Sequence, residues 1–310
     1  MKRGMLFVGI SSVLYGLVPL VTKALYATGM NVISACFWRF ALIVPVLAAW
    51  CLLRGCHLKM PLRSAAELFA RIGLFSGFTM YLLNRAYSLM DVGLATTIHY
   101  LYPAVVVIIA VAVFRERAGM TIVRSVLLIV AGMAFVSLRP DAGINAFGLA
   151  CALASAVTYA VYIVQLEKSG FNRIDPFVLT LYTALCNSIF MFVMSGPLGG
   201  IQVMNNARGW MATSALALLC FGALVLLAYG SRFLNAGMTS IFGLFEPITS
   251  MVVGLLFLGE TLSFGQLVGC GLIMLSIFLV AIGENAKNGR SAERSEQKRA
   301  GGYADCHNVR

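Results

Sequence analysis

The chain has 310 residues, of which 60% are hydrophobic and only 11% are charged, and its mean hydropathy is +0.89. A soluble protein of this length needs more polar surface to cover its core, so the composition argues against a soluble enzyme or binding module. The formal net charge of +11 would suit a nucleic-acid-binding protein, but the distribution of the basic residues argues against that class.

Apolar segments of nearly twenty residues, separated by short polar connectors, predict an all-α polytopic membrane protein. We predict ten transmembrane helices, in chain order, over residues 4–24, 32–53, 68–89, 93–114, 121–138, 146–165, 176–195, 211–230, 237–258 and 264–283. The first follows a basic start (MKR), as in a signal peptide. It is long and lacks a clear small-residue cleavage site, so we expect it to be retained.

The basic residues lie mainly on one side of the membrane if ten helices alternate from a cytoplasmic N-terminus. Apart from the tail, the cytoplasmic segments contain twelve: Lys2, Arg3, Arg54, Lys59, Arg63, Arg71, Arg115, Arg117, Arg124, Lys168, Arg173 and Arg232. The external segments contain four: Lys23, Arg85, Arg139 and Arg208. Because cytoplasmic loops are enriched in lysine and arginine, we predict a multi-pass protein of the plasma (inner) membrane with both termini cytoplasmic. We expect no nucleic-acid partner.

Residues 285–310 are polar and basic, which predicts a disordered cytoplasmic tail with some attraction to anionic lipid. The eight cysteines are scattered without a CxxC pair, so we predict neither a metal site nor a disulfide. The chain also lacks the motifs of zinc proteases, serine hydrolases and nucleotide-binding loops. We therefore expect no cofactor and no enzymatic activity.

The sequence repeats weakly at a constant offset of 144 residues. The matched pairs are Ser11 and Ser155, Tyr15 and Tyr159, Gly93 and Gly237, Pro103 and Pro247, and Glu116 and Glu260. This offset predicts two five-helix repeats, in residues 1–140 and 141–284. Because five is odd, the second repeat enters the membrane from the opposite side, and such inverted repeats place a substrate near the midplane where they meet.

Three segments carry a resemblance to a known family: WRFALIVPVLA in the second span, YPAVVVIIAVAVFRE in the fourth and FEPITSMVVGLLFLGE in the ninth. A proline followed by an (F/L)xE pattern, found twice, resembles the EamA branch of the drug/metabolite transporter superfamily over about residues 4–283. The resemblance implies gradient-linked movement, usually export, of small metabolites, amino acids or drugs. It does not identify the substrate.

Two charged residues lie deep within predicted spans, where a charge costs roughly 2.5–3.5 kcal/mol on insertion scales. Arg39 either extends its long side chain to the outer headgroups or binds an anionic group of a solute with its planar fork. Glu246 either forms an ion pair with an arginine of another helix, for which Arg39 is the candidate, or takes part in proton-coupled substrate binding. The sequence does not determine whether the two meet.

Pro103 and Pro247 each lack an N–H group, so they are predicted to kink their helices and to free the carbonyls of His99 and Gly243. Within a membrane such carbonyls need a partner from another helix, water or a ligand. The two matching faces predicted by helical spacing contain Thr239, Gly243, Glu246 and Ser250, and Ala95, His99, Tyr102 and Val106. We place the substrate site there; the alternative is that the prolines only shape the helices for packing.

His99, Tyr102, Tyr15 and Tyr159 complete the predicted substrate-binding set with Arg39 and Glu246. His99 is either a proton carrier, since imidazole titrates near neutral pH, or a hydrogen-bonded packing residue. The tyrosines either line a cavity or pack between helices and at the membrane interface.

Glu116 and Glu260 resemble a carboxylate pair, but inversion puts them at opposite sides of the membrane. Glu260 also precedes a helix start, where an acidic side chain favours the helix dipole. We assign both glutamates to helix capping or gating.

The predicted function is secondary active transport of a small organic solute by alternating access, with export favoured by the resemblance and protons as a candidate coupling ion. An arginine and a carboxylate in one cavity would suit an amphoteric solute such as an amino acid. The alternative is a flippase for lipids or lipid-linked sugars, which would require a lateral opening between helices.

Overall fold

The computed structural model describes residues 2–58, 60–89, 92–115, 119–137, 145–204 and 206–257, and residues 264–279 apart from 266, 270 and 277. The predicted tail, residues 285–310, lies outside the described residues. All regular secondary structure within these ranges is helical.

The first half of the chain forms α1 to α8. Their bounds are α1 Lys2–Tyr26, α2 Val32–Ala41, α3 Ile43–Leu53, α4 Leu62–Leu68, α5 Leu74–Tyr87, α6 Val92–His99, α7 Tyr102–Ala112 and α8 Met120–Ser137. A π-helical turn, Phe69–Gly73, joins α4 to α5.

The second half contains the remaining helices. Their bounds are α9 Ala146–Lys168, α10 Pro176–Ser195, α11 Ala207–Gly230, α12 Ala236–Phe242 and α13 Phe245–Phe257. A last apolar helical segment, α14, runs over Leu267–Ser276.

Six segments of the described chain are long enough and apolar enough to cross a membrane: Lys2–Tyr26, Val32–Leu53, Leu62–Tyr87, Ala146–Lys168, Pro176–Ser195 and Ala207–Gly230. Three shorter apolar helices are Tyr102–Ala112, Met120–Phe135 and Leu267–Ser276. Each of the ten predicted spans contains helical residues. The chain is therefore an all-α polytopic membrane protein, as predicted.

Side chains at the helix starts explain where several spans begin. Asn31 accepts a hydrogen bond from the Ser34 N–H group at 2.8 Å, and Asp175 accepts one from Phe177 at 2.9 Å. Asn and Asp at this position satisfy N–H groups that the first helical turn leaves unpaired. Asn31 and Asp175 are 144 residues apart, so the two halves start α2 and α10 in the same way.

The fourth and ninth spans, which contain Pro103 and Pro247, are interrupted rather than merely kinked. α6 ends at His99 and α7 begins at Tyr102, while α12 ends at Phe242 and α13 begins at Phe245. The proline ring clashes with the carbonyl group one turn earlier, and it disfavours the helical conformation of the residue before it. A helix therefore tends to end near a proline. The interruptions fall at nearly equivalent positions in the two halves.

These interruptions change two of the expectations. The Gly243 carbonyl, predicted to be freed by Pro247, accepts the N–H group of Glu246 at 3.1 Å. Thr239 and Ser250 belong to different helices, so they do not share one continuous helical face with Gly243. Pro247 has no N–H group to donate to Gly243, and the tighter turn just before it supplies the N–H group of Glu246 as the donor instead.

The helix contacts recur with the two halves exchanged. α1 packs against α11 and α13, and α9 packs against α5 and α7. The offset of 144 residues relates α1 to α9, α5 to α11 and α7 to α13. Two repeats related by a twofold axis would produce this exchange of contacts.

α8 and α14 approach each other closely at Gly132. A Cβ atom on Gly132 would lie 2.8 Å from the Gly269 carbonyl oxygen, and Ser125 donates to the Ser276 carbonyl at 3.2 Å. Small residues allow membrane helices to approach so closely that backbone groups touch.

Gly132→Ala is therefore expected to lower the melting temperature of the protein in detergent, since overpacking typically costs about 1–3 kcal/mol. Gly196→Ala is the matched control, because a Cβ atom there meets nothing within 4 Å. Equal melting temperatures for the two variants would contradict the close contact at Gly132.

Candidate functional site

Arg39 is buried in α2 with 4% of its surface exposed, so it does not extend to the headgroups. Its Nη2 donates to the sulfur atoms of Met80 and Cys36, and its guanidinium lies 5.1 Å from the Phe40 ring centroid. Cys220 is a further sulfur neighbour. The buried Nε has no hydrogen-bond partner within the described part of the chain. Because sulfur is a weak acceptor, the Nη2 donor is only weakly paired, and the Nε donor is unused.

Glu246 lies in the first turn of α13 and is partly buried. Tyr100 lies within electrostatic range of the Glu246 carboxyl group. A carboxylate in the first turn is also favoured by the N-terminal end of the helix dipole. None of the described lysine and arginine side chains forms an ion pair with Glu246.

Arg39 and Glu246 face a common group of side chains. Tyr15, Tyr87 and Cys220 each lie within electrostatic range of both charges. The two charged side chains, both of which are described, form no ion pair with each other. One cation and one carboxyl group from different halves of the chain therefore share three electrostatic neighbours, the partly buried Tyr15 and Tyr87 and the buried Cys220.

His99, Tyr102 and Tyr159 form an aromatic cluster at the interruption between α6 and α7. The ring centroids of Tyr102 and Tyr159 are 4.6 Å apart with an interplanar angle of 90°, and those of His99 and Tyr159 are 5.3 Å apart. Tyr159 is within electrostatic range of Glu246 and Tyr15.

His99 is hydrogen-bonded to α9. Its Nδ1 lies 3.0 Å from the Ser155 hydroxyl oxygen, and the same hydroxyl donates to the Ala152 carbonyl at 2.7 Å. Since Ser155 has one hydroxyl proton and uses it toward Ala152, Nδ1–H of His99 is assigned as the donor. This geometry corresponds to the packing alternative for His99.

Tyr102 joins the two interrupted spans. Only 1% of its surface is exposed, and its hydroxyl donates to the Ser240 carbonyl of α12 at 3.1 Å. The same hydroxyl lies over Gly243, where a Cβ atom would collide with it. The Tyr102 hydroxyl thus links the second half of the fourth span to the first half of the ninth.

Several residues of this region were not predicted from the sequence: Met80, Tyr87, Tyr100 and Cys220. Helical spacing assigned His99 and Tyr102 to one face and left Tyr100 off it. Tyr100 lies in the interruption after His99, and its ring centroid is 5.8 Å from that of His99. Glu116 and Glu260, the predicted gate or cap residues, lie outside the described residues.

The family model for the EamA-like transporter family matches residues 2–138 and 146–282. The chain belongs to the EamA-like transporter family. Family membership makes it a multi-pass membrane transporter, in agreement with the predicted resemblance. The family description and the names of its relatives indicate a transporter rather than an enzyme.

Curated relatives cover much of this EamA-like chain at low identity. Two proteins of Archaeoglobus fulgidus, each named an uncharacterized transporter, are 24% identical over 212 residues and 26% identical over 245 residues. These alignments cover 67% and 78% of this chain and 74% and 86% of the relatives. The threonine/homoserine exporter RhtA of Escherichia coli is 25% identical over 207 residues, which is 65% of this chain and 66% of RhtA.

A solved crystal structure has the same fold. It superposes with a TM-score of 0.73 at 20% sequence identity and covers 91% of this EamA-like chain and 97% of its own chain. At this identity the likeness concerns the fold alone.

Proposed function

We propose that the protein is a secondary active transporter that exports a small amphoteric solute, such as an amino acid, by alternating access. The observation that carries this proposal is the pair of opposite charges, Arg39 and Glu246, which lie within electrostatic range of the same side chains and form no ion pair with each other. A solute with one carboxylate and one cationic group would complement both charges.

The energetics favour such a solute over one with a single charge. Charges inside a membrane protein are costly unless they are paired or hydrated. The planar guanidinium of Arg39 offers several donors to a carboxylate, and a carboxylate at Glu246 accepts from an ammonium group. A zwitterion leaves neither protein charge unpaired when the site closes, whereas a singly charged solute leaves one.

The proposed transport cycle uses two inverted repeats, residues 1–140 and 141–284. The exchanged contacts of α1 with α11 and of α9 with α5 support this arrangement. Interrupted helices near the midplane are a frequent feature of substrate sites in transporters built from inverted repeats. The unequal distribution of basic residues supports cytoplasmic termini in a plasma membrane.

RhtA is named a threonine/homoserine exporter, which supports export and an amino-acid solute for this chain. The relatives reported above are named transporters or exporters, and no observation favours the flippase alternative.

The proposal is tested by exchange in proteoliposomes that contain the purified protein. The panel contains L-threonine, L-homoserine and other amino acids, each with its deaminated and decarboxylated analogues. We expect zwitterions to exchange at least about tenfold faster than either singly charged analogue, the ratio that corresponds to about 1.4 kcal/mol. Absence of exchange for every zwitterion, or equal exchange of the analogues, would contradict the proposal. Liposomes that contain the Arg39→Gln, Glu246→Gln double variant are the control.

Glu246→Gln is expected to make the exchange rate insensitive to a pH gradient while leaving membrane insertion unchanged. Glutamine has nearly the same volume as glutamate, but it does not exchange a proton. The measurement is the initial rate against pH on each side of the membrane. Glu67→Gln is the matched control, since Glu67 is an exposed residue of α4. It forms an ion pair with Arg71 in the π-helical turn that follows. A Glu246→Gln profile equal to that of the parent would remove the proposed proton role.

A further inference from the structure

A hydrogen bond joins the last turns of α1 and α5. The Tyr26 hydroxyl donates to Asn84 Oδ1 at 2.8 Å, and Asn84 Nδ2 donates to the Met80 carbonyl at 2.8 Å. These two bonds fix the orientation of the Asn84 carboxamide, because its oxygen and its nitrogen each have a partner. Asn84 is buried, whereas Tyr26, the last residue of α1, is only partly buried. The bond is therefore anchored on α5.

This hydrogen bond crosses a gap between two helices. Within the described ranges, α1 and α5 have no extensive packing contact with each other, although both pack against α2. Asn84 lies one turn beyond Met80 on α5, about 6 Å along the helix axis. The Met80 sulfur accepts a hydrogen bond from Arg39 of α2. The bond between Tyr26 and Asn84 therefore closes the gap about one turn beyond the Arg39 contact.

Other contacts between connectors and helices recur in both halves of the chain. Trp38 Nε1 donates to the Gln202 carbonyl at 2.8 Å, and the Tyr182 hydroxyl donates to the Leu58 carbonyl at the opposite end of the molecule. Trp38 and Tyr182 are 144 residues apart, and so are Leu58 and Gln202. A contact that exists at both ends does not distinguish one end from the other.

The bond between Tyr26 and Asn84 has no counterpart of this kind. The positions 144 residues later are Gly170 and Ala228, neither of which has a polar side chain. Carriers built from inverted repeats open their two ends in turn. A hydrogen bond that crosses the gap at one end only therefore has the property expected of a contact that breaks when that end opens.

We propose that the hydrogen bond between Tyr26 and Asn84 is a gate, which closes this end of the molecule over Arg39. This inference rests on the proposed function for the solute that passes the gate. With the proposed cytoplasmic N-terminus, α1 ends at the external face of the membrane, so the gate is external. The structure has this gate closed.

The modification rate of Cys36 tests the gate without any solute. Cys36 is buried, with 1% of its surface exposed, and its sulfur accepts from Arg39 Nη2 at 3.8 Å. A membrane-impermeant methanethiosulfonate is applied to spheroplasts and, separately, to inverted vesicles, and peptide mass spectrometry gives the rate at each cysteine. Tyr26→Phe is expected to raise the Cys36 rate in spheroplasts about 2- to 10-fold, the factor for one net hydrogen bond. It should not raise the rate in inverted vesicles.

Tyr182→Phe is the matched control, since it also loses a tyrosine hydrogen bond, but at the opposite end. It should leave the Cys36 rate in spheroplasts at the parent value. Cys186 is the internal reference, because it is buried in α10 against Gly73 of the π-helical turn. A general loosening of the fold would speed the modification of Cys186, or of Cys36 from both sides, and either result would overturn the gate.

Asn84→Leu removes the acceptor and should raise the Cys36 rate as Tyr26→Phe does. The two substitutions together should raise it no further than one alone, since both remove the same hydrogen bond. Additive effects, or an unchanged Cys36 rate in Tyr26→Phe, would overturn the inference and leave the proposed function intact.

Protection by a solute separates this inference from the proposed function. L-threonine, and then the amino acid that exchanges fastest in the panel, should slow the modification of Cys36 if it binds at Arg39. A faster Cys36 rate in Tyr26→Phe, without protection by any amino acid, would support the gate and count against the proposed solute site.

Discussion

Arg39→Gln is expected to raise the KM of a transported amino acid by at least about 30-fold. Removing one partner of a buried charge pair typically costs about 2–5 kcal/mol, and the lower bound corresponds to this factor. The cost is large because Arg39 is buried and its described partners are sulfur atoms, so no other acid replaces the solute carboxylate. Exchange in proteoliposomes measures the effect.

Arg39→Lys separates charge from geometry in the same assay. Lysine retains the positive charge but lacks the planar fork and the Nε donor, so it should recover only part of the affinity. The KM of a decarboxylated amine should change little in either variant, since it has no group for Arg39 to bind. Arg54→Gln is the control, because Arg54 is exposed and packs on the Trp50 ring.

A uniform effect on amino acids and amines would contradict the assignment of Arg39 to the solute carboxylate. It would indicate instead that Arg39 supports the packing of α2 against α5 and α11. Melting temperatures in detergent distinguish that case, because a structural role predicts a parallel loss of stability.

Gly243→Ala is expected to lower the melting temperature and to reduce exchange at least about tenfold. The added Cβ atom would collide with the Tyr102 hydroxyl and would lie 3.0 Å from the Ser240 carbonyl oxygen. Overpacking of this kind costs about 1–3 kcal/mol, and here it acts where the two interrupted spans touch. Gly237→Ala is the matched control, since its nearest neighbour, the Asn235 side-chain oxygen, lies at 3.6 Å.

Tyr102→Phe is expected to rescue part of the Gly243→Ala defect. The hydroxyl is the colliding atom, and the next atom of the ring is 3.4 Å from the added Cβ, an ordinary contact distance. Melting temperature and initial exchange rate should both recover in the double variant. Failure of Tyr102→Phe to restore either quantity would show that the hydroxyl of Tyr102 is not what Gly243 accommodates.

The helix interruptions illustrate what local sequence could and could not predict. Pro103 and Pro247 mark both positions, because a missing N–H group and a bulky ring are properties of the residue itself. Sequence predicted a kink, whereas the structure has two separate helices in each span. Whether a proline bends or ends a helix depends on which groups from neighbouring helices can stabilise the turn.

The sequence by itself determined the membrane environment, the family and the two deep charges, Arg39 and Glu246. Hydropathy and the cost of a charge in a membrane follow from residue type and position along the chain, so they can be read without a structure. The repeat offset is likewise a property of residue order.

Only the tertiary structure decided how those residues are grouped. In it Arg39 and Glu246 form no ion pair with each other, and Tyr15, Tyr87 and Cys220 lie within electrostatic range of both. These contacts join helices that are distant in the chain, and the packing of those helices sets them. Helical spacing describes one helix at a time, so it does not determine which faces of two helices meet.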